Sequence, residues 1–230
     1  MHESKILKLR SEINKKGYVL IRKFADPKTI RSIRKNWINN DLNNKFNSFV
    51  RNKDVDTNTE HYMYNRPTDL DAVYCINFFK PPICEILHTY ALKIQLLRNQ
   101  LEDIPLYEGI AAFSSRKLQY RICKTISKKV AVKPHADFFL EKRKDPTAKH
   151  EFDPNRYQAT LFLSEYNKDY KNGGLFFHTK PKKINICKKL KIKIGDLLIW
   201  KYNLKHSVSN INKITDAGFL RIIYPTFIRN

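Results

Sequence analysis

Three side chains from two distant stretches of the sequence are of the types that hold a divalent metal ion. His135 and Asp137 stand two positions apart in a segment of strand character, and an extended backbone projects such a pair to the same face of a sheet. His206 lies far along the chain, directly after another apolar, strand-like run. Two neutral imidazoles and one carboxylate on one face of an octahedron leave coordination positions open for other ligands. The sequence therefore predicts a metal centre formed by His135, Asp137 and His206, which are also the candidate catalytic residues.

A His-x-Asp triplet is common by chance, so the surrounding sequence decides its weight. Residues 195–200 (Gly-Asp-Leu-Leu-Ile-Trp), residues 206–210 (His-Ser-Val-Ser-Asn) and Arg221 together resemble the distal half of the Fe(II)/2-oxoglutarate-dependent dioxygenases. Residues 17–22 (Gly-Tyr-Val-Leu-Ile-Arg) and the helix after Asp26-Pro27 resemble the phytanoyl-CoA dioxygenase-like branch of that superfamily. The joint occurrence of these segments over most of the chain makes the resemblance specific.

The resemblance implies that the protein binds Fe(II) as its cofactor and uses 2-oxoglutarate and O2 as co-substrates. It implies that the three metal ligands hold Fe(II) and that Arg221 binds the far carboxylate of 2-oxoglutarate. Arg221 shares a predicted strand face with Phe219 and Ile223, and a guanidinium in such apolar surroundings needs a partner. A planar carboxylate is its natural bidentate partner. The alternative is a structural ion pair with an acidic residue of the chain.

One position departs from the pattern of the family. Many relatives carry a serine two residues after the arginine, where this sequence has Ile223. A second hydrogen bond to 2-oxoglutarate would then come from another strand, and the candidates are Tyr120 and Thr160. Both residues are equally compatible with an ordinary structural position in a strand.

The resemblance also bears on the reaction and the substrate. Family halogenases lack the carboxylate that Asp137 supplies here, so hydroxylation or a related oxidation of a C–H bond is expected. The substrate is expected to be a small, anionic molecule, with Tyr64, Arg66 and Arg121 as candidate anchors. Exposed Arg/Tyr pairs without a function are the alternative for these three residues. His178 is expected to support the site or the structure.

The charge of the chain leaves two other functions open. The sequence carries 44 Lys+Arg against 22 Asp+Glu, a formal net charge of +22, which is also typical of nucleic-acid binding. The basic residues are spread along the chain, and Lys189, Lys191 and Lys193 alternate with apolar residues like the solvated face of a strand. The alternatives are a nucleic-acid- or protein-directed 2-oxoglutarate oxygenase (demethylase or hydroxylase) and a non-enzymatic, metal-binding jelly-roll module.

The first half of the chain is predicted to be mainly helical. Apolar spacing and a following glycine predict a helix over residues 3–16, and a strand follows at 18–21. Asp26-Pro27 is an N-cap followed by proline, which opens a second helix, and Pro81-Pro82 opens a third. Residues 40–70 lack a sustained period and are predicted to form a long loop, of the kind that serves as a lid.

The second half has the alternation of a β-protein. Many short antiparallel strands in this length favour a jelly roll. The expected fold class is α+β, mainly β: a double-stranded β-helix (jelly roll, cupin-like) with N-terminal helices packed on it. We expect one domain over residues 1–230, with a helical buttress and lid loop at 1–106 and the jelly-roll core at 107–230. The predicted strands lie at residues 118–126, 130–135, 157–164, 174–178, 184–194, 197–201 and 218–228.

The composition favours a globular protein in a reducing compartment. Hydrophobic residues make up 42% of the chain, which is enough for a buried core. The four cysteines include no Cys-x-x-Cys pair and are expected to be reduced. No apolar run approaches the ~18 residues of a membrane helix, and the N-terminus lacks the apolar stretch of a secretory signal. A cytoplasmic location without a membrane partner is expected.

Overall fold

The computed structural model of the protein describes residues 3–35, 62–65, 71–79, 81–82, 84–111, 116–125, 132–137, 156–179 and 181–228. The helices are α1 (Glu3–Lys16), α2 (Pro27–Ile33), α3 (Glu85–Glu102) and α4 (Ile186–Lys189). The strands are β1 (Tyr18–Ile21), β2 (Tyr62–Asn65), β3 (Asp71–Asn77), β4 (Arg116–Thr125), β5 (Val132–His135), β6 (Tyr157–Phe162), β7 (Tyr170–Lys171), β8 (Gly174–Thr179), β9 (Lys182–Asn185), β10 (Leu197–Lys201), β11 (His206–Ser209), β12 (Asn212–Lys213), β13 (Phe219–Ile223) and β14 (Thr226–Ile228).

The strands form two main antiparallel sheets. The large sheet has the order β1-β10-β6-β13-β4-β3-β2, with β14 also paired to β4, and the small sheet has the order β5-β11-β8-β9. One apolar cluster draws on both sheets and therefore lies between them; its members include Phe162, Phe177, Leu198, Val208 and Phe219. Two sheets packed over a shared core in this way form a jelly roll, so the predicted fold class is confirmed.

The other face of the large sheet packs against the N-terminal helices. A second apolar cluster joins Ile13 of α1 and Ile94 of α3 to Leu161, Ile199 and Ile222 of three neighbouring strands. Each of these side chains is fully buried, and burying one such side chain contributes about 1.5–3 kcal/mol. The helices thus support the outer face of the sheet, as expected, and the region before residue 107 also supplies strands β1, β2 and β3.

Local signals place several elements where the sequence predicts them. Helix α1 ends at Lys16, and Gly17 follows with a positive φ of 82°. Helix α2 begins at Pro27, and the carboxylate of its N-cap Asp26 accepts a hydrogen bond from the backbone N of Thr29 at 2.8 Å. Strands β4, β5, β6, β8, β10 and β13 lie within or close to their predicted ranges.

The predicted strand at residues 184–194 is wrong. Strand β9 ends at Asn185, whose side chain accepts a hydrogen bond from the backbone N of Lys188 at 2.9 Å and so caps helix α4. Lys189 ends this helix, and Lys191 and Lys193 lie in the turns that follow, so the three lysines do not line a strand. An isolated alternation of buried and exposed residues does not distinguish a strand from a short helix and a turn.

Two further expectations need correction. Part of the predicted loop at residues 40–70 is ordered as strand β2, which pairs with β3, a strand that the sequence analysis did not predict. Helix α3 begins at Glu85 rather than at Pro81-Pro82, and Ile86 on its first turn is 46% exposed. The rest of the 40–70 segment lies outside the described residues.

None of the four cysteines, all of which are described, forms a disulfide. This agrees with the expectation that they are reduced. Among the described residues, no helix combines the length and the apolar character needed to cross a bilayer.

The turn before β10 depends on a glycine. Gly195 has a φ of +84°, and a Cβ atom there would lie 2.2 Å from the carbonyl oxygen of Ala25. We expect Gly195→Ala to lower the free energy of unfolding by about 2 kcal/mol or more, since the positive φ alone costs an L-residue about 1–2 kcal/mol and the backbone must also move. Urea denaturation measures the loss.

Gly17→Ala is the matched control for this substitution. Gly17 has nearly the same φ, +82°, but its nearest neighbour would be a Leu204 side-chain carbon at 3.6 Å. We therefore expect only the backbone cost of about 1 kcal/mol. Equal losses in the two variants would show that the contact with Ala25 is unimportant.

Candidate metal centre

The small sheet brings the three predicted metal ligands together. His135 ends β5 and His206 begins β11, and the two residues are direct partners across these strands. Their rings are 4.5 Å apart. Nε2 of His135 lies 3.6 Å from one carboxylate oxygen of Asp137, and Nε2 of His206 lies 3.8 Å from the other. The potential ligand atoms of all three residues lie within 4.8 Å of one another, which is compatible with a shared metal ion.

Backbone carbonyls fix the tautomer of both imidazoles. Nδ1 of His135 is 2.8 Å from the carbonyl oxygen of Lys133, and Nδ1 of His206 is 3.0 Å from that of Leu204. A carbonyl oxygen only accepts, so each Nδ1 carries the proton and each Nε2 keeps its lone pair. This is the arrangement in which histidines bind metals through Nε2.

The carboxylate of Asp137 has an unsatisfied oxygen. Asp137 is buried, and its Oδ2 has no hydrogen-bond partner among the described residues. Its backbone N donates to the carbonyl oxygen of Tyr202 at 3.1 Å, which fixes the main chain. A buried carboxylate without a partner is unfavourable, and a cation between Asp137 and the two imidazoles would satisfy it. The donor set therefore fits a divalent metal ion.

Burial keeps the imidazole of His206 neutral. It lowers the pKa of His206, and His135 lowers it further, while the negative charge of Asp137 acts in the opposite direction. The ring is neutral near pH 7, and a neutral imidazole is the form that binds metal.

Arg221 lies on the face of the large sheet that looks toward the small sheet. It is only 6% exposed, and its guanidinium lies 4.3 Å above the ring of Phe219. It donates to Oγ1 of Thr125 at 3.1 Å and to the carbonyl oxygen of Phe219 at 3.3 Å. Arg221 forms no ion pair within the described ranges, so the structural ion pair considered from the sequence is not observed there. A buried charge of this kind favours the binding of an anionic partner.

Thr160 lies on the same face as Arg221. It is the direct partner of Ile223, two residues beyond Arg221, and of Leu198 on the other side, and residues two apart on a strand share a face. Its Oγ1 is buried and, in the part of the chain that the structure describes, has no hydrogen-bond partner. The threonine is therefore a hydroxyl donor without a partner on the inner face of the jelly roll.

Tyr120 is placed away from the site, which corrects the expectation that it contacts 2-oxoglutarate. Its ring packs 6.0 Å from that of Tyr224 and close to His88 of α3, in the cluster on the outer face of the large sheet. Burial raises the pKa of its hydroxyl well above the ordinary value. Adjacent strand residues point to opposite faces, so Tyr120 and Arg121 cannot both face the metal centre.

Of the three candidate substrate anchors, only Arg121 is fully described. It is half-buried, lies on the inner face as the partner of Ile223, and donates from Nε to the side chain of Gln119 at 3.1 Å. Tyr64 belongs to β2, where it pairs with Val73. Arg66 lies outside the described residues.

His178 contacts the metal centre indirectly. Its Nε2 is 2.8 Å from Oγ of Ser207, the neighbour of His206. Burial and the nearby charges of Lys183 and Lys205 lower its pKa. It does not join the three-residue metal-ligand group found among the described residues.

Two polar side chains near the centre were missed by the sequence analysis. Gln158 and Trp200 are direct partners on the inner face, and the indole of Trp200 lies 5.7 Å from the ring of His206. Oε1 of Gln158 and Nε1 of Trp200 are buried without hydrogen-bond partners among the described residues. Gln158 lies two residues before Thr160 on β6, and residues two apart on a strand share a face. This spacing could have identified the glutamine from the sequence.

By sequence, no family model and no curated protein matches the chain. By structure, it is similar to a prolyl-4-hydroxylase of Pseudomonas putida, with a TM-score of 0.56 and 14% identity over 98% of both chains. It is also similar to two proteins of nogalamycin biosynthesis. One is the non-heme alpha-ketoglutarate-dependent epimerase SnoN, with a TM-score of 0.57 and 13% identity over 99% of this chain and 84% of that chain. The other is the carbocyclase SnoK, with a TM-score of 0.57 and 11% identity over 96% and 83% of the two chains.

These neighbours have the fold that the resemblance implies, and they do not single out the phytanoyl-CoA dioxygenase-like branch. Hydroxylase, epimerase and carbocyclase share the architecture, so the fold does not select one reaction outcome. The chain has the jelly-roll fold of the Fe(II)/2-oxoglutarate-dependent oxygenases, with a His-Asp-His cluster on the inner side of its small sheet.

Proposed function

We propose that this protein is a cytoplasmic Fe(II)- and 2-oxoglutarate-dependent oxygenase that hydroxylates, or otherwise oxidises, a C–H bond of a small anionic molecule. The observation that carries the proposal is the convergence of His135, Asp137 and His206, whose potential ligand atoms lie within 4.8 Å of one another and include a buried carboxylate oxygen without a hydrogen-bond partner among the described residues. The four cysteines, none in a disulfide, fit a reducing compartment. We treat residues 1–230 as one domain.

The ligand set suits Fe(II) in particular. Two imidazoles and one carboxylate form the facial triad of non-haem iron oxygenases and leave positions open for other ligands. Bound Fe(II) and 2-oxoglutarate supply the redox chemistry with O2. The contribution of the chain is to hold these groups in register and to exclude water from them. A solved structure of the neighbour SnoN contains Fe3+ and alpha-ketoglutarate, which supports the same assignment here.

The inner face of the large sheet offers the contacts for 2-oxoglutarate. Arg221 is the proposed partner of the far carboxylate, because its buried guanidinium carries a charge and its hydrogen bonds among the described residues go to neutral acceptors. Thr160 is the proposed second contact, through a hydroxyl that has no hydrogen-bond partner among the described residues. A bidentate arginine–carboxylate pair in a site closed to water orients the co-substrate and is stronger than the same pair in solvent.

The substrate would bind farther along the same face. Arg121 is the proposed anchor for an anionic group, since it lies one row beyond Arg221 and remains half-buried. Tyr64, on β2 and separated from Arg121's strand by β3, stays a proposed contact, as does Arg66. Such an arrangement would place a carboxylate or phosphate at a fixed distance from the metal and would leave the reacting carbon to shape and hydrophobic contact.

Turnover of 2-oxoglutarate tests the proposal. Purified protein with Fe(II) and O2 is incubated with a panel of small carboxylates and phosphates, and succinate is measured. The expected result is succinate formation that depends on Fe(II) and rises with one chemical class of the panel. Failure of the protein to bind Fe(II) or 2-oxoglutarate would contradict the proposal, and metal binding without succinate across the panel would favour the non-enzymatic module.

A nucleic-acid-directed oxygenase is the second candidate, and one observation favours it. Exposed lysines cluster along β9, α4 and the turns that follow, and they include Lys182, Lys183, Lys188, Lys189 and Lys193. Clustered lysines bind polyanions through counter-ion release, so this candidate requires an affinity for DNA or RNA that falls steeply with salt. A filter-binding titration with no retention at low salt would eliminate it.

A further inference from the structure

We propose that the turn Lys201–Leu204 is a positioning element for the metal centre and that Tyr202 connects it to a buried charged cluster on helix α3. This inference rests on the proposed metal-binding function of His135, Asp137 and His206. It assigns a role to the turn and to the buried charged residues behind it, Arg98, Glu102 and Arg156, which are not themselves proposed metal ligands.

The turn contacts two of the three metal ligands through its backbone. The carbonyl oxygen of Tyr202 accepts the hydrogen bond from the backbone N of Asp137 at 3.1 Å. The carbonyl oxygen of Leu204 accepts the hydrogen bond from Nδ1 of His206 at 3.0 Å. The turn is closed by a hydrogen bond from Leu204 N to the carbonyl oxygen of Lys201 at 2.9 Å. A shift of this turn would therefore move the Asp137 main chain and the His206 ring together.

Tyr202 is held from the other side by two arginines. Its side chain is fully buried, and its hydroxyl acts against burial by raising the pKa of the Arg98 guanidinium, which places the two groups in electrostatic contact. Its backbone N donates to the carbonyl oxygen of Arg156 at 3.4 Å. Tyr202 therefore contacts Asp137 of the candidate metal centre through its carbonyl oxygen and Arg156 of the buried charged cluster through its backbone N.

The cluster around the two arginines is buried and extensively bonded. Arg98 donates to the carbonyl oxygens of Tyr157, at 3.2 Å, and of Tyr224. Arg156 forms an ion pair with Glu102 of α3, and Oε1 of Glu102 also accepts the hydrogen bond from the backbone N of Tyr157 at 2.6 Å. Removing one partner from such a buried charged network is strongly unfavourable. The network is therefore a rigid base for the turn.

Burial also shows how confined this cluster is. It lowers the pKa of Arg98 to about 10, and burial together with the charge of Arg98 lowers that of Arg156 to about 9. Both guanidinium groups remain charged near pH 7, so the cluster holds two positive charges against the one carboxylate of Glu102. The Tyr202 hydroxyl raises the pKa of Arg98 and so favours its charged form, which links the ring of Tyr202 to α3 electrostatically.

Tyr202→Phe tests the inference, because it removes the hydroxyl and keeps the ring. Outer partners of metal ligands contribute about 10–100-fold to metal affinity. We expect the Kd for Mn2+, measured from the electron paramagnetic resonance signal of the free ion, to rise about 10-fold, the low end of that range. Urea denaturation of the metal-free protein, run in parallel, reports any general loss of stability.

Tyr224→Phe is the matched control. Tyr224 is also fully buried, but its hydroxyl has no hydrogen-bond partner among the described residues. We expect its Kd for Mn2+ to stay within about twofold of the wild-type value. A Tyr202→Phe protein that is folded and binds Mn2+ as tightly as Tyr224→Phe would overturn the inference and leave the proposed function intact.

A measurement on the wild-type protein covers the case in which Tyr202→Phe does not fold. Coupling between sites is reciprocal, so adding Mn2+ should slow hydrogen exchange at residues 95–102 of α3 more than at residues 3–16 of α1. Equal or no slowing in the two segments would overturn the inference. A wild-type protein that binds no Mn2+ would instead overturn the proposed function, and this inference with it.

Discussion

Replacing Asp137 by alanine is expected to abolish turnover and to weaken metal binding by about 100-fold or more. Loss of a residue that only hydrogen-bonds to a metal ligand weakens binding by about 10–100-fold, and loss of a ligand should cost at least as much. The metal-free protein should nevertheless be at least as stable as the wild type. The reason is that one oxygen of this buried carboxylate has no hydrogen-bond partner among the described residues, and removing an unsatisfied buried charge does not cost stability. Titration with Mn2+ and urea denaturation of the metal-free protein measure the two effects.

Asp169 provides the matched control for this prediction. The two carboxylates are similarly buried, with side-chain exposures of 10% for Asp137 and 7% for Asp169. Asp169, however, accepts hydrogen bonds from Arg34 at 2.9 and 3.0 Å and from the Thr215 hydroxyl at 2.7 Å. Asp169→Ala should therefore destabilise the protein by about 2 kcal/mol or more and leave the metal Kd of the folded fraction unchanged.

The contrast between these two variants separates a binding role from a structural one. If Asp137→Ala lost stability as Asp169→Ala does, Asp137 would be part of the structural framework and the metal assignment would lack its main support. If Asp137→Ala kept the wild-type affinity for Mn2+, the three residues would not form the binding site. Loss of affinity without loss of stability is the pattern that a metal ligand requires.

The second large effect is expected at Arg221. Removing one partner of a buried, hydrogen-bonded charge pair costs about 2–5 kcal/mol, and 2 kcal/mol corresponds to about 30-fold in affinity. We therefore expect Arg221→Met to raise the Kd of the metal-loaded protein for 2-oxoglutarate by about 30-fold or more. Isothermal titration calorimetry with Mn2+ in place of Fe(II), without O2, measures binding apart from turnover.

A shortened co-substrate shows whether the arginine contacts the far carboxylate. 2-Oxobutanoate keeps the keto acid that would bind the metal but lacks the second carboxylate, so Arg221→Met and wild type should bind it with similar, weak affinity. Arg121→Met is the matched control, since Arg121 is the other described arginine on the inner face of β4 and β13, and it should keep the wild-type affinity for 2-oxoglutarate. Equal losses for both ligands would mean that Arg221 supports the fold instead.

Several elements of the fold could be predicted because their signals are local. The N-cap of α2 lies in Asp26-Pro27, and the end of α1 lies in the glycine that follows it; both signals act within one helical turn. The strand pairing of β2 with β3 could not be predicted in this way. Pairing between strands depends on which edge of the sheet is open, and that is decided by the rest of the fold.

The candidate metal ligands could likewise be predicted from local patterns, whereas the contacts around them could not. His135 and Asp137 share a face because residues two apart on an extended chain must do so, His206 follows another strand-like run, and the resemblance supplied the role of Arg221. The choice between Tyr120 and Thr160 was not available from the sequence, because alternation shows which residues share a face and not which face turns inward. Packing of α3 against the outer face places Tyr120 there.

The sequence alone thus predicted the jelly roll, the three residues that cluster as candidate ligands and the buried arginine, since each follows from a short-range pattern or a motif. The tertiary structure alone decided that the ligand atoms lie within 4.8 Å, that Tyr120 is excluded from the site, and that Tyr202 joins the metal-side turn to Arg98 and helix α3. Tyr202 lies 65 positions from Asp137 and 104 positions from Arg98 in the sequence. The register of two sheets and the packing of a helix set such distances, and no local segment of the chain encodes either.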